Sequence, residues 1–273
     1  MSIKIGSDPE LFVKRDGALI SAHNLVPGSK EKPHKVPRGA VQVDGMALEF
    51  NIDPVSTENG FVRNTLSVLE SLQTFLPQGD QFVFSPIAEF GLDYIMQQPI
   101  EARELGCDPD YNAYTGQYNP TPNVELPFRT ASGHIHIGWR EGVNPLDPVH
   151  FEECCMVVKE LDATLGLLSV LEEPVAKGRQ RRELYGRAGA FRPKSYGVEY
   201  RVLSNYWLKN EEAMRRVYKI VNLVMEKISN PKISLLQDRR QSNTIRSAIN
   251  QMDRKRANLY VDNYLKEEGY AAL

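Results

Sequence analysis

Apolar and polar residues alternate one for one in three separated stretches of the chain. In Thr130-Ala131-Ser132-Gly133-His134-Ile135-His136-Ile137-Gly138-Trp139 the two histidines fall on one side of a strand, and Ile135, Ile137 and Trp139 on the other. In Tyr196-Gly197-Val198-Glu199-Tyr200-Arg201-Val202-Leu203, Glu199 and Arg201 point one way and Val198, Tyr200 and Val202 the other. In Gly45-Met46-Ala47-Leu48-Glu49-Phe50-Asn51-Ile52 the apolar set is Met46, Leu48, Phe50 and Ile52, opposite Glu49 and Asn51. Each stretch predicts a half-buried strand with ionisable groups on its polar side. A sheet with one solvated face also alternates in this way for solubility alone, and a lateral ion pair is the other reading of Glu199 and Arg201.

Around these stretches the pattern predicts further elements. A strand over Ile3 to Val13 turns back across Arg15-Asp16-Gly17-Ala18, and a proline- and lysine-rich loop runs from Pro27 to Pro37. Asp44-Gly45 marks a bulge or turn inside Val41 to Ile52. Phe61, Leu66, Leu69, Leu72 and Phe75 keep a helical spacing over Asn59 to Phe75, with Pro77 as the stop, and that helix is expected behind the sheet. Gln97 to Phe128 reads as a long structured loop, of the kind that lines sites. Helices are expected over Pro148 to Glu173 and Asn210 to Ile228, with charged, exposed helices after Ser234. The pattern has no internal repeat.

A length of 273 residues is enough for a large core, and we expect one domain over 1–273 with a helical part from about 209. With 33 basic against 35 acidic residues there is no global attraction to nucleic acid or an anionic membrane, so neither is an expected partner. No run approaches the roughly 20 apolar residues of a membrane span, and a cytoplasmic location is expected. Three cysteines, Cys107, Cys154 and Cys155, make neither a disulfide framework nor a C-x-x-C zinc pair, and the adjacent two read as core-facing. The run from Lys177 to Arg192, with Arg179, Arg181, Arg182, Arg187 and Arg192, reads by default as a solvated surface.

Neither G-x-x-x-x-G-K nor G-x-G-x-x-G occurs, so any nucleotide must be held on another scaffold. Glu10, Glu49, Glu199 and His134 are of the types that hold Mg or Mn rather than structural zinc, with Arg192 and Arg201 of the type that receives phosphate oxygens. Such a set suits phosphoryl transfer, in which the protein chiefly positions and neutralises.

Five motifs in this order resemble the glutamine-synthetase-like carboxylate-amine ligases, and most closely the phage-encoded COOH-NH2 ligase type 2 group. They are Gly6-Ser7-Asp8-Pro9-Glu10-Leu11-Phe12, Val43-Asp44-Gly45-Met46-Ala47-Leu48-Glu49-Phe50, Cys107-Asp108-Pro109-Asp110, Ser132-Gly133-His134-Ile135-His136, and Phe191-Arg192-Pro193-Lys194-Ser195-Tyr196-Gly197-Val198-Glu199-Tyr200-Arg201. The resemblance implies an α+β fold: a curved antiparallel sheet of the glutamine synthetase and guanidino kinase type, backed by α-helices. It implies ATP with two or three Mg or Mn ions, held by Glu10, Glu49, His134 and Glu199. His136, Arg187 and Lys194 fall to the nucleotide, Arg201 and Arg192 to the phosphoryl group or substrate carboxylate, and Asp44 to the amine. The first strand carries Asp8-Pro9-Glu10 where the glutamate-cysteine ligase branch has closely spaced glutamates. The implied reaction joins a small-molecule or peptide carboxylate to an amine through an acyl phosphate, releasing ADP, and a homo-oligomer is compatible with it. A guanidino-kinase-like phosphotransferase, a nucleotide-independent metal hydrolase and a non-catalytic binding module are the competing expectations.

Overall fold

The computed structural model describes residues 3–103, 110–120, 126–229 and 239–262. Its strands are β1 (Lys4–Arg15), β2 (Ala18–Ile20), β3 (His34–Val36), β4 (Gly39–Asp44), β5 (Ala47–Ile52), β6 (Gln81–Val83), β7 (Ile87–Glu89), β8 (Tyr111–Asn112), β9 (Phe128–Thr130), β10 (Gly133–Gly138), β11 (Ala190–Lys194) and β12 (Gly197–Tyr200). The α-helices are α1 (Glu58–Phe75), α2 (Leu92–Met96), α3 (Ile100–Arg103), α4 (Pro148–Leu161), α5 (Leu167–Glu172), α6 (Val175–Leu184), α7 (Glu211–Ile228), α8 (Arg239–Gln251) and α9 (Arg254–Tyr260).

One large antiparallel sheet runs in the order β3-β4-β5-β1-β10-β12-β11-β8, with β2 and β6 pairing the far end of β1. The three alternating stretches therefore lie almost side by side, with β1 between two of them. Their apolar sides, including Leu48, Phe50, Ile135, Ile137, Val198 and Tyr200, join one core under the helices. On that side α1 packs on β4 and β5, α4 packs on β11 and β12, and α7 packs against both helices. This is the α+β arrangement of an antiparallel sheet with helices behind it.

Local chemistry explains the boundaries. Thr57 caps α1 by accepting from Gly60 N–H at 3.2 Å, and the helix ends two residues before Pro77. Asp147 caps α4, with Pro148 in the first helical position. Gly45 and Met46 form the turn between β4 and β5, with Gly45 at φ 57° in the left-handed region. Met46 is thereby taken out of the expected apolar set and packs with Ile95 and Ala102 of α2 and α3.

Other expectations are revised. The helix expected over Pro148 to Glu173 is interrupted by a π-helical turn at Asp162–Gly166. The first half of the basic run lies in α6, and Arg181 and Arg182 are buried rather than solvated. The late helices are amphipathic, since Ile245, Ala248, Ile249, Ala257 and Tyr260 are buried. Cys154 and Cys155 are buried in α4. Cys107, Asp108 and Pro109, and parts of the long loop that holds them, lie outside the described residues. Among the described residues no helix is long and apolar enough to cross a membrane.

Among the described residues, one end of the polar side of the sheet is covered. There Phe12 and Ala47 pack with Ala88 and Ala131, under the small sheet formed by β7 and β9. Toward the start of β1 the same side opens into a cleft.

Candidate active site

Antiparallel register places directly opposed residues on the same side of a sheet. One row crosses the polar side as Gln42, Glu49 and Glu10. A second pairs Asp8 with His134, and a third runs Gly6, His136, Glu199 and Arg192. Gly6 leaves the floor of the third row low. The cleft above encloses about 830 Å³ and is lined by Gly6, Asp8, Gln42, Glu49, His136 and Tyr196 among others.

Glu199 is the most heavily paired group. It accepts from Arg201 Nη1, and Lys194 Nζ lies 2.7 Å and Arg192 Nη1 3.6 Å from it. His134 Nδ1 is 3.5 Å from Glu199 and 3.5 Å from Asp8. Arg201 also donates through Nε to Asp110 at 3.1 Å, which ties the start of the segment 110–120 to the site. Burial pushes the Glu199 carboxyl up, but the charge of Arg201 together with His134 and His136 holds the group far below the usual range.

The opposite half of the site is acidic. Ser132 N–H donates to Glu10 at 2.7 Å, and Gln42 Nε2 donates to Glu49 at 2.6 Å. No ion pair to Glu10 or Glu49 is found among the described residues. Burial, with the charge of Asp44, pushes Glu10 up to about 7. Burial together with Asp8, Asp44 and Glu10 pushes Glu49 well above the usual range, and burial also raises Asp44.

Asp8 lies between the halves. Burial raises its carboxyl, but His136 and His134 outweigh this and hold it well below the ordinary value. His136 Nε2 is 3.0 Å from Asp8 Oδ1, and the Asp8 charge raises the imidazole against the effect of burial. His134 is instead lowered to about 4 by burial and the neighbouring Arg201 charge. One ligand atom each from Asp8, His136 and Glu199 lie within 4.8 Å of one another.

Thus Glu10, Glu49, Asp44, His134, His136, Glu199, Arg192, Lys194 and Arg201 all share the polar side of one sheet. Arg187 is not with them. It sits past the end of α6, donating to the carbonyls of Arg182 (2.8 Å) and Glu183 (3.2 Å). The structure adds Asp8, Asp110 and Tyr196. Asp8 carried a readable signal, being two residues from Glu10 and so on the same side of a strand.

Residues 127–270 match the family model "Phage phiEco32-like COOH.NH2 ligase-type 2", over half of the chain. The chain belongs to this family. Within this ligase-family chain the matched segment holds both histidines and the whole basic half, whereas Asp8, Glu10, Asp44 and Glu49 precede it. A crystal structure of a novel glutamine synthase homolog is 14% identical, with a TM-score of 0.42, over 99% of this chain and 66% of that one. A bifunctional glutathione synthetase from Pasteurella multocida is 10% identical, with a TM-score of 0.43, over 99% of this chain and 50% of that one. No curated protein matches the sequence at comparable significance.

Proposed function

We propose that this chain is an ATP-dependent carboxylate-amine ligase on a glutamine-synthetase-like sheet, forming an amide or peptide bond and releasing ADP and phosphate. The observation that carries the reading is the division of one sheet face into an acidic half and a basic half that meet at Asp8 and Glu199. An amine does not displace oxide from a carboxylate. The carboxylate oxygen must first take the γ-phosphoryl group of ATP, and the amine nitrogen then attacks the acyl carbon and expels phosphate.

The basic half suits the anionic partners of that sequence. Arg201, Arg192 and Lys194 would receive the oxygens of the phosphoryl group or of the substrate carboxylate, the planar guanidiniums by paired hydrogen bonds. His134 stays neutral beside Arg201 and so adds no competing charge. Asp44, raised by burial, is suited to take a proton from the attacking amine.

The acidic half fits Mg or Mn. Half-buried carboxylates raise one another's proton affinity, Glu10 and Glu49 have no direct ion pair among the described residues, and the donor set is oxygen with one imidazole and no thiolate. Glu10, Glu49, Asp8 and His136 would hold the ions, with Glu199 at the boundary. When bound, such ions neutralise phosphate charge and orient the triphosphate. The substrates are then small-molecule or peptide carboxylates and amines.

The test is ADP release over a panel of carboxylates with hydroxylamine as the amine. A ligase yields hydroxamates, a kinase yields ADP without them, and a hydrolase acts with nucleotide removed. Lys194→Met is expected to lower hydroxamate formation by on the order of 10² while leaving the circular dichroism spectrum unchanged. Hydroxamate formation at the wild-type rate in that variant would take Lys194 out of the site.

A further inference from the structure

Tyr196 lies in the turn between β11 and β12, on the wall of the cleft. Its carbonyl accepts from two backbone N–H groups, Trp139 at 2.9 Å and Arg140 at 3.0 Å, so the turn is clamped to the end of β10. Gly197 follows at φ 153°, and a Cβ there would stand 2.1 Å from the Ile137 carbonyl oxygen. Only glycine fits, and the turn keeps its close approach. From this fixed base the Tyr196 hydroxyl reaches His136 Nδ1 at 2.5 Å.

The His136 ring is therefore hydrogen-bonded at Nδ1, to Tyr196, while its Nε2 makes no hydrogen bond among the described residues and lies 3.0 Å from Asp8 Oδ1. Only Nε2 faces Asp8. An imidazole that ligates through Nε2 must carry its proton on Nδ1, and that N–H needs a fixed acceptor.

Resting on the reading of the acidic half as a divalent-cation site, we propose that Tyr196 is a positioning residue for the cation, acting through His136. Its oxygen accepts the Nδ1–H hydrogen bond, which fixes the ring plane and the tautomer. The Nε2 lone pair is then the one presented beside Asp8 and Glu199. Cation binding releases to solvent any proton on Nε2 and leaves the Nδ1 proton on Tyr196. A ring without that acceptor is free to rotate and to carry its proton on either nitrogen.

Mn²⁺ binding to the full chain, followed by the loss of the free-ion electron paramagnetic resonance signal, tests this without any substrate. Tyr196→Phe keeps the ring and removes the oxygen. We expect it to raise the Mn²⁺ Kd by about 10- to 100-fold, with the thermal midpoint of the cation-free protein little changed. In a His136→Ala background the same substitution is expected to have no further effect, because Tyr196 then has nothing to position. With Mg²⁺ bound, ¹⁵N spectra of wild type should show His136 protonated at Nδ1. An unchanged Kd in Tyr196→Phe, or an equal loss with and without His136, would overturn the inference and leave the ligase reading standing. Absence of Mn²⁺ binding by wild type would overturn both.

Discussion

Glu49 shows how a single side chain can be costly to the fold and useful to the site. It faces Glu10 and Asp8 across the sheet and, among the described residues, only Gln42 donates to it, and its carboxyl is raised far above the usual range by burial and then by its acidic neighbours. The folded chain thus holds a proton there that the unfolded chain gives up. The associated stability is present below the ordinary glutamate value near 4.5 and is lost as pH climbs past it. Glu49→Gln keeps the shape and the hydrogen bond from Gln42 while removing the charge. With chelator at pH 8 its thermal midpoint should exceed that of wild type by a few degrees, and added Mn²⁺ should stabilise it less. A lower midpoint with chelator would mean that Glu49 is already compensated. Alternation alone marks Glu49, His134, His136 and Glu199 as sharing a polar side, and the register bears this out. Asp110 was out of reach of that logic, because its approach to Arg201 depends on the course of a loop that leaves no periodic trace.

The α6 helix shows why charge in a sequence is a poor guide to exposure. Arg181 is fully buried, with Nε donating to Ala131 O (3.1 Å), Nη1 to Val202 O (2.8 Å), and Nη2 to Leu203 O (2.8 Å) and Ser132 Oγ (3.3 Å). Its partners are mainly carbonyls, which every residue has, so nothing in the sequence distinguishes it from the exposed Arg179 or Arg187. The consequence reaches the site, since the Ser132 segment it holds supplies the N–H that donates to Glu10. Asp162, at the start of the π-helical turn, works similarly, accepting from Tyr200 at 2.8 Å and Tyr114 at 3.0 Å. Tyr200 stands between Glu199 and Arg201, so the helix layer anchors the segment that carries both. Arg181→Leu takes a buried donor from three carbonyls, of which Leu203 O keeps Gly133 N–H, and is expected to cost more than about 3 kcal/mol in urea unfolding. Arg187→Ala, which only loses contacts at an exposed helix end, should cost less than about 1 kcal/mol. Equal costs would show that burial of Arg181 contributes no more than the cap.

Strand order is the part of the fold that local pattern does not contain. The chain pairs β1 with β10 and β5, and β10 with β12, across long sequence separations, and only that order brings an acidic strand set beside a basic one. The assembled face therefore has a property that none of its strands has alone. Its acidic half gains negative charge as pH rises, because Glu10 is pushed up to about 7 and Glu49 above its ordinary value, whereas Glu199 is held far below the usual range. For Glu10 the folded value exceeds the ordinary 4.5, so the folded chain binds more protons than the unfolded one between about 4.5 and about 7, and stability contributed there falls across that window. A divalent cation reverses the balance, because it binds the deprotonated carboxylates and so stabilises the native state by mass action. The rise in thermal midpoint produced by a fixed excess of Mg²⁺, measured against NaCl of equal ionic strength, should therefore be small at pH 5.5 and large at pH 8. Glu10→Gln should flatten that dependence, since it removes the group whose proton competes with the ion in this range. A rise of the same size at both pH values would mean that Mg²⁺ binds away from these carboxylates, and the acidic half of the face would lose its assignment.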